Sequence, residues 1–272
     1  MIAVAIIAVV SAVAVPRLAS ARASSNEAAA ISTLRTIAAA QAQVQASATI
    51  DTDADGGGEY AYLGELAGAD PVREFNGGAP AIGTRTLDPT YLPAAFGEVV
   101  PDGASGGVVE RAGYYFKVFL PGPFSSGAYP GTAELGSGGA SGTLPSATGA
   151  EILWCCYAWP VTAGRTGRRA FFVHQDGDVI STANNGANVY TGLASGDVPA
   201  ADAAFTLSGD IASLPGLAAA GLAANDGRVW TVIGNCPGAS GTSRGRSRSS
   251  GSPAGPRRRR RGARAESATS RP

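Results

Sequence analysis

The sequence predicts an α+β protein: a long N-terminal helix packed on a small antiparallel β-sheet head, with long loops and a disordered C-terminal tail. Three observations predict it. Residues 1–48 contain no glycine and a single proline, Pro16, and are rich in alanine. Short apolar segments of strand composition recur between about residue 108 and residue 233, divided by glycine and proline. The last segment, 244–272, carries ten arginines and one acidic residue and has no aromatic side chain.

At 272 residues the chain is long enough to bury a substantial core. Charged residues make up only 15% of it, and its 38 glycines and 17 prolines call for long loops. The formal net charge of zero hides an asymmetry, because the tail is net positive and the rest of the chain is acidic by the same amount. The three cysteines, Cys155, Cys156 and Cys236, show no zinc-ligand spacing. In an oxidising compartment the expected bridge joins Cys236 to Cys155 or Cys156. The alternative is three small buried thiols.

The helix divides into two parts. Met1–Val15 is apolar apart from Ser11, with Ile2, Val4, Ile6, Ile7, Val9, Val10, Val13 and Val15 distributed around all faces. Past Pro16, Ile31, Leu34, Ile37 or Ala38, and Val44 recur at steps of three and four and form one apolar stripe. Arg17, Arg22, Ser25, Glu27, Arg35 and Gln45 supply the polar positions. The pattern reads as a hydrophobic half-helix over 1–16, a proline kink, and an amphipathic half over 17–48, together spanning roughly 70 Å. A spanning helix needs about 20 apolar residues, so this run is short for one. A cleaved signal peptide is the competing reading, with Ala12 and Ala14 as small cleavage-site residues. It lacks a basic n-region, since no charge precedes Arg17.

The stretch MIAVAIIAVVSAVAVPRLASARASSNEAAAISTLRTIAAAQ resembles the N-terminal helix of type IV pilins and type II secretion pseudopilins. The resemblance covers residues 1–45. In that family the apolar run follows a short basic leader, a glycine and a phenylalanine-threonine-leucine-isoleucine-glutamate-leucine segment. A prepilin peptidase cuts after the glycine and a methylase modifies the new N-terminus. The sequence as given opens two places beyond the family's glutamate. Adding the family's missing residues lengthens the run to about 21, a full span. The resemblance implies a single-pass bacterial inner-membrane protein with its head in the periplasm. It also implies partners of the same kind, with which it assembles into a pilus or secretion pseudopilus. The expectation from a different class is a secreted globular binding protein released by signal peptidase.

Beyond the helix, a head is expected over 49–240. Asp51, Asp53 and Asp55 alternate and Gly56 follows, as in the first half of a calcium loop, but the position of the closing glutamate is Tyr62. Glu59 and Glu65 are spaced wrongly for that role unless they fold back onto the ion. An acidic turn that ends the helix is the alternative reading, and no other cofactor is expected. Strands are expected at Tyr114–Leu120, within EILWCCYAWP, at Ala170–Val173 and Val179–Ser181 around an Asp176-Gly177 turn, and near 228–233. In EILWCCYAWP, Trp154, Cys156 and Ala158 should face one way, and Cys155, Tyr157 and Trp159 the other. The expected sheet has three or four strands, 121–150 is an irregular loop, and 198–225 has poor periodicity.

Enzymatic signatures are absent from the sequence. The one histidine, His174, reads as a solvent-facing strand end, and there is no nucleophile elbow or phosphate-binding loop. The tail, 241–272, cannot bury apolar area, and no aromatics interleave its arginines, so no specific nucleic-acid module is expected.

Overall fold

The computed structural model describes residues 2–104, 106–140, 144–186 and 188–233, with the backbone course alone for 2–13 and 15. The chain divides into a compact unit, Met1–Asn235, and a second, Cys236–Pro272, which lies outside the described residues. The expected tail and the expected bridge to Cys236 therefore fall outside them too.

The fold is α+β. Helix α1, Ile2–Ala46, is 45 residues long and runs through Pro16, a length of about 68 Å. It ends two residues earlier than expected. Ser47 and Ala48 donate to the carbonyls of Gln43 and Gln45, and Ala48 turns the chain at φ 46°. Its buried positions are Ala23, Glu27, Ala30, Leu34, Ile37, Ala40, Gln41 and Val44. The alternating steps of four and three place them on one seam, as in a coiled coil. Three of the eight are alanines, which lets the helix backbone come close to the sheet. Ile31 and Ala38, read as part of the stripe, are only half-buried at its margin.

The sheet is larger than the three or four strands expected. Among the described residues it has eight strands: β3 Val99–Pro101, β4 Gly107–Arg111, β5 Tyr114–Pro121, β6 Gly131–Ala133, β7 Cys155–Pro160, β8 Ala170–His174, β9 Ile180–Thr182 and β10 Trp230–Val232. All pair antiparallel, in the order β10-β9-β8-β7-β5-β4-β3, and β6 pairs the end of β5. A separate hairpin joins β1, Arg73–Asn76, to β2, Ala79–Ile82. The additional strands are short or lie beside glycine and proline. β4 and β5 are joined by Ala112 and Gly113, both at positive φ (49° and 75°). This is the geometry of a type I′ turn, built without the usual asparagine or aspartate. Asp176 and Gly177 do lie in a turn, but pairing resumes only at Ile180, opposite Phe172.

The alternation in β7 is as expected. Trp154, Cys156 and Ala158 join the core under α1, with Phe116, Val118, Leu120, Phe171 and Val173. Cys155, Tyr157 and Trp159 face the other way, with Phe119, Phe172 and Trp230. That second face is covered by the segment of poor periodicity, through Ala203, Ala204, Phe205 and Ile211. The sheet is thus enclosed on both sides, which explains why β5, β7 and β8 are apolar throughout. Cys155 and Cys156 are buried free thiols on opposite faces.

Helix α2, Leu63–Leu66, and helix α3, Ala147–Ala150, are single turns. The latter and β6 lie within 121–150, which is therefore not wholly irregular. Where the chain passes beneath the end of α1, a Cβ on Gly58 would lie 1.8 Å from the Gln45 carbonyl oxygen and 2.9 Å from the Ala48 Cα. Both neighbours are backbone and have no way to yield. Gly58→Ala is therefore expected to destabilise the head by about 3 kcal/mol, measured by urea unfolding. An unchanged midpoint would show that the chain passes this point differently.

Candidate functional site

The two ends of the buried half of α1 hold opposite charge. At the lower end the helix leaves the head. Residues 16–22 are all exposed, Leu18 among them at 56%, and among the described side chains the first buried position is Ala23. The β7–β8 connection, 161–169, grips the helix here. Asn26 Nδ2 donates to the Thr166 carbonyl at 2.9 Å. Glu27 accepts from the Arg168 amide at 2.9 Å and from Arg169 Nε at 2.8 Å. Glu27, expected at a polar surface position, is thus buried by its partners. The connection is folded by Thr166, whose N–H donates to the Thr162 carbonyl at 2.9 Å and whose hydroxyl accepts from the Thr162 amide at 3.1 Å. Gly167 lies against the Tyr114 ring, where a Cβ would come 1.9 Å from the phenol oxygen.

The assembly residues expected on the apolar half, Ile2, Val4, Ile6, Ile7, Val9, Val10, Val13, Val15 and Pro16, all lie within the continuous helix. The side chains of all but Pro16 are outside the described set. Among the described residues no helix is long and apolar enough to cross a membrane.

At the upper end, carboxylate oxygens of Asp51, Asp53 and Asp55 lie within 4.8 Å of one another. Asp51 accepts from the amides of Ala54 (2.7 Å) and Gly56 (3.1 Å), and Asp55 from that of Gly57 (2.7 Å). Gly56, at φ 94°, supplies the sharp turn that such a loop requires at its sixth position. Glu59 does not fold back onto this loop. It is fully buried and committed to Arg73 Nη1 (2.7 Å) and to the amide of Thr52 (2.7 Å). Glu65 is likewise held by Arg73 Nε (3.1 Å) and the Tyr62 amide (2.8 Å). The carboxylate that does face the loop is Glu151, at the end of α3. Its Oε1 and Asp53 Oδ1 are buried without a hydrogen-bond partner. Gly57 makes room for it, since a Cβ there would lie 2.6 Å from Glu151 Cδ. Burial raises the Glu151 pKa, and the charges of Asp55, Asp53, Glu59 and Asp51 add to the rise. Glu151 thus approaches the loop from a second segment, while the oxygens within 4.8 Å of one another are those of the three aspartates. No sequence spacing reveals Glu151, because only the fold of α3 onto the loop brings it from so far along the chain.

Beneath this loop a second set of carboxyls is buried around Arg73, itself 1% exposed. Glu134 is fully enclosed and accepts from the amides of Leu63 (3.2 Å), Gly64 (2.8 Å) and Gly139 (3.1 Å). Burial raises its pKa to about 8 despite those donors, with smaller contributions from Glu65 and Asp70. Asp70 Oδ2 is buried without a partner, beside Gly64. The cluster pins the segment leading from α1 into the sheet, and burial favours the protonated form of Glu134.

His174 is buried, contrary to its expected exposure. It stacks on Phe172 at 5.6 Å, and its Nδ1 has no partner. Burial lowers its pKa against the opposing effects of Asp176 and Gln175. Cys155 stands opposite it in the ladder, with a thiol pKa raised by burial. Those shifts run counter to a thiolate–imidazolium pair.

Because Glu134 binds its proton more tightly folded than unfolded, its contribution to stability is full below about pH 4.5 and is lost as pH rises through about 8. Denaturation curves should show stability falling by up to about 1.4 kcal/mol per pH unit across that window. Glu134→Gln should flatten the slope, and an unchanged slope would assign it to other groups. No protein-family model, curated protein or solved structure matches this chain.

Proposed function

We propose that this chain is a structural, pilin-like subunit that works by assembly rather than by chemistry. The observation that carries this reading is the division of α1. One seam of its C-terminal half is sealed onto the sheet, while the same continuous helix projects from the head with 16–22 exposed. A projecting helix with an apolar leading half suits a bacterial inner-membrane anchor before assembly and a filament core afterwards. The head would then lie in the periplasm. Its partners are further pilin-like subunits, in a type IV pilus or a type II secretion pseudopilus, with prepilin peptidase and methylase acting where a leader precedes the run.

Val9→Asp tests the anchor. An acidic residue near the centre of a spanning helix costs about 2.5–3.5 kcal/mol. The variant should therefore move from the membrane fraction to the soluble one while the head melts unchanged. Retention of the variant in the membrane would sink the reading. N-terminal sequencing of native material separates it from secretion: a methylated phenylalanine supports assembly, and a mature end between Val15 and Ser20 supports signal-peptidase release.

A second reading concerns the acidic loop and rests on Glu151. Hard divalent cations take several oxygens at once. A carboxylate from a distant segment, drawn onto the Asp-x-Asp-x-Asp-Gly loop by the ion, would supply what the loop lacks at Tyr62. The loop and Glu151 would hold calcium and lock the end of α1 to α3. At a hundredfold excess over Kd, calcium should stabilise the fold by about 2.7 kcal/mol relative to chelator, measured by thermal melting. Glu151→Gln should remove most of that gain. Equal melting with and without calcium would exclude the site.

A further inference from the structure

We propose that the arginines surrounding the exit of α1 form a collar that binds the anionic phosphates of a phospholipid surface, an inference that rests on the membrane-anchored reading above. Five arginines meet at this end: Arg17 and Arg22 on the projecting helix, and Arg165, Arg168 and Arg169 on the connection that grips it. The local carboxylate, Glu27, is taken up by Arg169 at 2.8 Å. Arg17, Arg22, Arg165 and Arg168 are exposed and make no ion pair among the described residues. Of the other carboxylates toward this end, Glu98 immediately precedes β3 and Glu110 lies in β4, at one edge of the sheet. Asp197 lies in the loop that meets Val161 through the Gly192 amide. This basic ring stands out on a chain whose residues before the tail carry a net negative charge.

Its placement selects the partner. Arg17 follows the apolar run within one turn, and Ala23, the first residue gripped by the head, lies about 12 Å beyond Val15 along the axis. The headgroup layer is roughly 5–7 Å thick on each side of the hydrocarbon. Arg17 and Arg22 on the helix reach into that layer when the run is inserted, and the arginines of the connection, which meets the helix at Asn26 and Glu27, stand roughly 10 Å beyond it, within about one Debye length of the phosphates. Such contacts would hold the head against the bilayer and set its height before assembly.

The experiment uses the full chain and reads the collar locally, because the arginine-rich tail also attracts anionic lipid. Vesicles of phosphatidylcholine alone are compared with vesicles containing phosphatidylglycerol, by flotation and by hydrogen exchange of the 161–169 peptide. The expected result is flotation with both, and protection of 161–169 with phosphatidylglycerol only. Arg165→Gln/Arg168→Gln should weaken that protection roughly 25-fold in lipid concentration, with melting unchanged. Flotation without protection of 161–169 overturns the collar and leaves the anchor standing. Protection on anionic vesicles without flotation on neutral ones upholds the collar and refutes the anchor. No binding to either refutes both. Protection by a DNA duplex but not by phosphatidylglycerol overturns the proposal in favour of nucleic acid.

Discussion

The seam between α1 and the sheet is the contact on which the other features depend. Leu34, Ile37 and Val44 are fully buried there, and Ala23, Ala30 and Ala40 between them let the backbone sit low on β7 and β8. Larger residues at the alanine positions would lift the helix and open the core beneath Phe116, Phe171 and Trp154. The seam also fixes where the helix begins to project and which loops reach it. The grip of 161–169 on Asn26 and Glu27, and the passage of Gly58 beneath Gln45, are both set by its register.

The helix, its stripe and the two-faced burial of β7 are legible in the sequence because each depends on local periodicity. Trp154 to Trp159 alternate strictly between two cores, as their order predicts. What stays hidden depends on distant segments meeting. The Ala112-Gly113 turn lacks the residues that usually announce a hairpin, so β4 has no local signal. The segment 198–225 has no period because it packs as a layer of turns, with Phe205 and Ile211 inserted singly. Glu151 shows no spacing relation to Asp51, and Glu59, which does lie close in sequence, is drawn away by Arg73. Buried charges follow their partners, and partners are set by topology.

Charge is distributed unevenly along α1. Unpaired carboxyls crowd the end where the helix enters the loops, and guanidinium groups crowd the end where it leaves the head. The interior between them is nearly neutral, with Lys117 and Asp102 paired at 2.5 Å in the sheet.

The layer over the second sheet face is attached in an unusual way. Trp159 Nε1 donates to the Gly192 carbonyl, and the Tyr157 hydroxyl donates to that of Ala201 and accepts from the Ala204 amide. Every residue type offers those carbonyls, so these hydrogen bonds leave the exposed side chains of the layer unspecified, while Phe205 and Ile211 pack inward on the sheet. The outward face of the head is therefore free to diversify, residue by residue, while the helix seam on the opposite side stays fixed. A scaffold of this kind can change the surface it shows its surroundings without relearning how to fold.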